Sequence, residues 1–332
     1  MQRLSDATIV ITGASSGVGR AAAKTFARRG ARVALAARRE ELLHNVAQEC
    51  ERLGGHAIAI PTDVTNAAAV RQLADMAADR LGPIRVWINN AGVGAVGRYT
   101  DTPIEAHRRV VETNLIGYMN GAHAALPHFF AEHQGILINN ISVGAWAPAP
   151  FAVAYAASKF GLAGFSESLR AELAGWPDIH VCDVFPFFLD TPGVQHGANY
   201  TGRVLQPAPP VYDPQRVADV MARLAIRPRS RAIVGAPAFL AKLAHAVAPT
   251  ITGQIAAALL ELYLRQADPA PVTDGNLFAP VAVGDTSHGG WQKQNRSLVA
   301  AAALTASGIG ALGVLWAAAT RSNKTEATPT SR

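Results

Sequence analysis

Cysteine is scarce in this chain of 332 residues. Only Cys50 and Cys182 are present, and two thiols cannot staple a chain this long, so a disulfide scaffold is excluded. Charge is scarce too: 16% of residues are Asp, Glu, Lys or Arg, against roughly 25% in ordinary soluble domains. With 49% hydrophobic residues, that excludes a disordered chain, which needs low hydrophobicity and high charge. The net charge is +6, and most of it sits at one end. From Trp291 onward Lys293, Arg296, Arg321, Lys324 and Arg332 face Glu326 alone; five minus one is +4, which leaves +2 for the first 290 residues. A nucleic-acid binder wants a basic face on its folded domain, so no nucleic-acid partner is expected. No secretory leader is expected either, because the apolar run Ala7 to Thr12 stops at Gly13 without a small-residue cleavage site. His288 stands singly, and no metal site is expected.

Short β-branched runs alternate with helical stretches. Strands are expected at Ala7 to Thr12, Arg32 to Ala36, Ile58 to Pro61, Arg85 to Asn89, Ile136 to Ile141, Ile179 to Val184 and Arg231 to Val234. Helical spacing occupies Gly19 to Arg29, Glu40 to Leu53 and Ala67 to Leu81. Such alternation predicts an α/β fold with a doubly wound parallel sheet. The strands are continuously apolar, as burial on both faces requires.

Thr12-Gly13-Ala14-Ser15-Ser16-Gly17-Val18-Gly19 follows the first strand and opens the first helix. Gly13 permits a sharp turn, Gly17 lets backbone approach a pyrophosphate, and Gly19 lets the helix pack on the sheet. The helix N-terminus then offers free N–H groups to phosphates. A ribose with a free 2′-hydroxyl is usually read by an acid at the end of the second strand. Here Ala36-Ala37-Arg38-Arg39 carries none, and a guanidinium pairs with a 2′-phosphate, so NADP is expected over NAD, with Arg38 as reader. The alternative is that these arginines are solvated helix-start residues neutralised by Glu40 and Glu41.

Tyr155 and Lys159 lie four apart, on one face of a helix. A phenol titrates near ~10, and an ammonium beside it favours the phenolate, so the pair can act as a general acid–base. Ser142 follows the fifth strand, Asn89-Asn90-Ala91-Gly92 ends the fourth, and Asn114 sits in a helical stretch. Taken singly, each also fits a structural role: Asn114 bonded to backbone, Ser142 at a strand end, Tyr155 a half-buried aromatic.

Together, Gly13-x-x-x-Gly17-x-Gly19, Asp63-Val64, Asn89-Asn90-Ala91-Gly92, Asn114, Ser142 and Tyr155-x-x-x-Lys159 resemble the short-chain dehydrogenase/reductase family over roughly the first 235 residues. The resemblance implies a Rossmann fold, with Ser15, Ser16 and Val18 in the cofactor turn. It makes Tyr155 the proton donor and acceptor. Lys159 would lower the Tyr155 pKa and hold the nicotinamide ribose. Ser142 would polarise the substrate, and Asn114 would hold a relay water. Asp63 and Val64 would meet the adenine, and Asn90, Ala91 and Gly92 the adenosine ribose. Pro186 and Thr191 match the segment after the sixth strand, where Thr191 would contact the nicotinamide amide. Phe187 replaces the glycine that often follows that proline.

Phe187 to Tyr212 reads as a mobile lid. Trp146, Phe151, Phe187 and Phe188 are candidate pocket residues, which suggests an apolar or lipid-like carbonyl or alcohol substrate. Core packing is the alternative for two or more of them. Residues 1–235 are expected to be the NADP-binding catalytic domain and 236–295 a helical and irregular extension. Phe239 to Ala267 would be helix interrupted at Pro249 and Gly253, and Asp268 to Gln294 an irregular connection. Ser297 to Thr320 has no charge over 24 residues. As a helix of about 36 Å it could cross a ~30 Å hydrocarbon core. Residues 296–321 are therefore expected to be a transmembrane anchor, followed by a polar tail at 322–332; the competing reading is an alanine-rich helix buried in a homo-oligomer. Cofactor supply puts the catalytic domain on the cytoplasmic side. The expected activity is NADP(H)-dependent carbonyl–alcohol interconversion, the alternative a membrane-bound NADPH-sensing protein without turnover.

Overall fold

The structure, a computed structural model, describes residues 4–294. The anchor and tail expected at 296–332 lie outside the described residues. Among those described, no helix is long and apolar enough to cross a membrane.

Seven strands form one parallel sheet: β1 (Thr8–Thr12), β2 (Arg32–Ala37), β3 (His56–Pro61), β4 (Ile84–Asn89), β6 (Gly135–Asn140), β7 (Ile179–Pro186) and β9 (Arg231–Val234). Their order is β3-β2-β1-β4-β6-β7-β9. The chain winds outward one way from β1 and the other way from β4. The crevice at the carboxyl ends of these two strands is where such sheets bind ligands. Two further strands, β5 (Ala95–Val96) and β8 (Ala198–Asn199), pair with each other away from the main sheet. Neither was expected, since two residues leave no periodic pattern.

Successive side chains on a strand point to opposite faces. Ile9 and Ile11 of β1 face α1 (Gly17–Ala27), α2 (Glu40–Arg52) and α8 (Pro214–Leu224), where Phe26, Leu43 and Met221 are fully buried. Val10 faces the other side, with Leu73 of α3 (Ala67–Leu81) and Phe129 of α5 (Gly117–Ala131). α4 (Ile104–Val111) and α6 (Val153–Glu172) complete that layer. Truncating Phe26 or Phe129 to Ala would cost about 3–5 kcal/mol. Local signals set several helix starts. The Asn66 side chain accepts from Ala68 and Ala69 N–H to begin α3, and Asp213 caps α8 ahead of Pro214.

Polar side chains cross this apolar interior as a hydrogen-bonded ladder. Trp87 Nε1 donates to Asn89, Asn89 to Asn139 and Asn139 to Ser166, at 2.8–3.0 Å. Each member lies within the core, so each bond also prevents an unsatisfied buried group.

Beyond the sheet, α9 (Ala236–Val247) and α10 (Pro249–Gln266) form a helical pair. The break falls at Ala248, ahead of Pro249, as a proline dictates. Gly253 lies inside an unbroken α10, which corrects the expected interruption there. Ile251, Ile255, Leu259 and Leu262 are all exposed, as are Phe239, Leu240, Leu243 and Val247 on α9. Short α7 (Gly193–His196) and α11 (Trp291–Gln294) lie near the crevice.

Candidate active site

Gly13 and Gly17 have φ of 66° and 54°, the left-handed region that glycine enters at no steric cost. A Cβ on Gly19 would collide with the Gly13 carbonyl, so the turn and the helix start need glycine for separate reasons. Ser16 is the N-cap of α1 but makes no side-chain cap bond, which leaves that helix end to other acceptors. Val18 packs into the core, and Gly17 faces Thr191 across the crevice.

Asn90 braces this turn. Its amide donates to the Thr12 and Gly13 carbonyls at 3.0 and 3.3 Å and accepts from Asn140 at 2.9 Å. The Thr12 hydroxyl accepts from the Asn90 and Ala91 N–H groups at 2.9 and 3.2 Å. Thr12 was not singled out in the sequence, where it reads only as the last residue of a strand.

Arg38, at the end of β2, lies beside Asp63 and Arg109. Burial lowers the Arg38 pKa, and the Asp63 charge opposes that shift. Asp63 accepts from Thr65 and pairs with Arg109 at 3.2 Å. Burial alone would raise its carboxyl, but the Thr65 bonds and the Arg109 and Arg38 charges hold it below the ordinary value. Val64 packs against Gly117, and Gly92 lies against the Asn114 side chain. Ser15 accepts from Arg39 at 3.3 Å.

Tyr155 and Lys159 share a face of α6; Lys159 is buried and Tyr155 half-buried. Lys159 Nζ lies 5.5 Å from the Tyr155 ring centroid and 5.2 Å from that of Tyr118. Among the described residues, its side chain makes one hydrogen bond, a long one of 3.4 Å to the Asn140 carbonyl, which also accepts from Tyr118 at 2.8 Å. Burial pushes the Lys159 pKa down to about 7. It also pushes the Tyr155 phenol above its ordinary value, against an opposing hydrogen bond from Ser142. The expected lowering by a lysine ammonium is therefore not seen here: burial raises the phenol and depresses the ammonium that was to act on it.

Ser142 adopts φ 149° at the end of the strand segment, and its hydroxyl oxygen accepts from Gly144 N–H at 3.1 Å. That bond uses a lone pair and leaves the O–H to donate, here toward the Tyr155 phenol. Asn114 is fully buried in a π-helical turn, Glu112–Ile116. Its amide accepts from Val93 N–H and donates to the Val93 carbonyl and to Ser158, at 2.8, 2.9 and 3.3 Å. Both amide hydrogens are engaged, so this side chain braces the β4–β5 loop against α6.

Pro186 ends β7 opposite Val234. Trp146 stacks on Phe185 at 3.9 Å, with Lys242 over its ring at 4.5 Å, so it is packed rather than open. Phe187 and Phe188 make an edge contact, and Phe188 is exposed. Phe151 lies under Arg98. No cluster that could hold a metal occurs among the described residues.

The family model for short chain dehydrogenases matches residues 7–199. The chain belongs to this family. Its catalytic domain is accordingly that of a nicotinamide-dependent oxidoreductase. Among family relatives, an uncharacterized oxidoreductase of Bacillus subtilis, YxnA, is 33% identical over 260 residues, 77% of this chain and 72% of that protein. An 11-beta-hydroxysteroid dehydrogenase A of Sesamum indicum is 35% identical over 185 residues, 55% of this chain and 52% of its own. Among solved structures, a metagenomic short-chain oxidoreductase in complex with NADP superposes with a TM-score of 0.59 at 29% identity, covering 70% of this chain and 98% of that one.

Proposed function

We propose that the chain is an NADP(H)-dependent oxidoreductase that interconverts a carbonyl and an alcohol on an apolar substrate, with Tyr155 as general acid/base. The observation that carries this reading is Ser142, Tyr155 and buried Lys159 grouped at the carboxyl end of the sheet.

The residues present fit the cofactor. Lys159 is a buried amine with a single long hydrogen bond, which leaves donors for a ribose diol. At the other end, Arg38 and Arg39 follow β2 directly, with no acid at the strand end itself, which suits a 2′-phosphate. Gly13, Ser15, Ser16, Gly17, Val18 and Gly19 would hold the pyrophosphate and Asp63 the adenine. Thr191 would hold the nicotinamide amide. When bound, the nicotinamide supplies or accepts the hydride.

The chain's own groups handle the proton. Ser142 turns its O–H from the Tyr155 phenol to the substrate oxygen. The Tyr155 phenol gives its proton to that oxygen in reduction and takes it back in oxidation. A phenol raised by burial is protonated at neutral pH and so suits reduction. Lys159 positions the ribose. Asn114 holds the β4–β5 loop that carries Val93.

The apolar substrate class rests on the aromatic residues Phe187 and Phe188, which follow β7 at the carboxyl end of the sheet. A membrane setting, with the catalytic domain on the cytoplasmic side, rests on the uncharged run Ser297 to Thr320 with Lys293, Arg296, Arg321 and Lys324 around it. The exposed apolar side chains of α9 and α10 suit the same setting. The activity is tested by following NADPH oxidation over ketones, aldehydes, steroids and long-chain substrates. Turnover is expected with at least one apolar carbonyl; silence throughout, with NADPH still bound, would leave a cofactor-binding protein without turnover. Fractionation of the full chain against one ending before Ser297 tests the anchor, and recovery of both with the soluble fraction overturns it.

A further inference from the structure

The stretch after α10 lies across the cofactor cradle. The Thr286 carbonyl accepts from Gly17 N–H at 3.0 Å, at the start of α1. The Asn276 and Leu277 carbonyls accept from Arg38 at 2.5 and 3.2 Å, and Leu277 also from Arg109 at 3.1 Å. The carbonyls of Val281, Val283 and Gly284 accept from Arg39 at 3.3–3.4 Å. Val283 also bonds His196 at 2.7 Å. Farther on, Trp291 N–H donates to the Asp190 carboxylate at 2.7 Å and its indole N–H to the Thr191 carbonyl at 3.0 Å.

This path is anchored. Leu277 is fully buried among Val93, Ala106, Val110 and Ala154, and Trp291 is buried at the far end. A Cβ on Gly275 would collide with the His196 backbone, and one on Gly284 with the His196 ring. The segment is thus fitted to the lid side of the crevice as well as to the nucleotide side.

We propose that residues 274–291 form a strap that competes with NADP(H) for the cradle and must leave Gly17 and Arg38 before the cofactor's phosphates can take them. The proposal rests on the reading of the crevice as an NADP(H) site. A guanidinium can serve a phosphate or a peptide carbonyl with the same N–H groups, but not both at once. Each strap bond at the cradle comes from a neutral backbone oxygen. A phosphate is charged and accepts bidentately from arginine, so it displaces such acceptors while its concentration is sufficient. The closed strap lowers apparent cofactor affinity by the fraction of chains in which it is open. A strap that instead clasped a bound cofactor would leave these donors to the phosphates.

The test uses the full chain and two strap variants, Leu277→Ala and Gly284→Val, titrated with NADPH and with adenosine 2′,5′-bisphosphate by fluorescence. Both variants are expected to bind both probes at least ~10-fold more tightly, mainly through faster association. Limited proteolysis of the unmodified chain gives a second readout that does not depend on the variants folding. Saturating NADPH is expected to speed cleavage within 274–291. Equal or weaker binding by folded variants, or NADPH protecting the strap from cleavage, overturns the proposal. Failure of every chain to bind NADPH overturns the reading of the crevice itself, and the strap proposal with it.

Discussion

Arg170 on the catalytic helix α6 reaches Asp183 on β7 at 2.9 Å, with the Asp183 side chain only 1% exposed. Burial raises this carboxyl; Ser166, Arg170 and Asn139 oppose the shift. Removing the cation alone strands a buried charge. Arg170→Leu is expected to cost about 3–5 kcal/mol, and adding Asp183→Asn to recover much of that loss. Chemical denaturation midpoints of the single and double variants decide the matter, and equal stability of the two would contradict it.

Tyr155→Phe removes one hydroxyl and keeps the ring. Turnover is expected to fall by roughly 10²–10⁴-fold, while NADPH affinity stays within about twofold. Retained activity on a verified substrate would remove Tyr155 from the proton-transfer role.

Arg38→Ala should change which nucleotide the chain prefers. NADPH binding is expected to weaken by roughly 10–100-fold, the worth of a charge-assisted pair, with NADH little affected. Parallel titrations with the two nucleotides test this; equal loss for both would assign Arg38 a structural role.

Lys159 gives a pH signature. Its folded pKa, about 7, lies below the ordinary lysine value, so the unfolded chain binds more protons above pH 7. Stability therefore rises with pH from about 7, as the buried ammonium is relieved of its proton. Below that range the penalty is fully present. Denaturation between pH 7 and 8.5 stays clear of the buried thiols of Cys50 and Cys182, both pushed up to about 12. The unmodified chain should gain stability across this range and Lys159→Met should not; parallel curves would place the lysine in a wetter setting.

The sequence carried the sheet and the glycine turn because each rests on local signals: apolar β-branched runs, and glycines where φ is positive or a Cβ cannot fit. Ser142, Tyr155 and Lys159 were legible because their residue types carry the chemistry. The Tyr155 titration was not, since four-residue spacing says nothing about how deeply the helix is buried. Asn114 was found, but its partners were not, because they come from a loop 21 residues earlier and from Ser158. The strap left the least trace. Its acceptors at the cradle are backbone carbonyls, which every residue has, and side chains such as Leu277, Trp291, Asp274 and His288 mark its route only away from the cradle.

That route has a consequence for synthesis. β9 ends at Val234 and the first strap acceptor at Arg38 is the carbonyl of Asn276, 42 residues later (276 minus 234). At about 5–20 residues per second, the ribosome needs roughly 2–8 s to cover that distance. For that interval the nascent chain holds every strand of the sheet and both arginines of the cradle, with nothing yet made to occupy them. If the strap competes as proposed, a nucleotide present during synthesis has a head start over the chain's own tail that it does not have once the chain is complete.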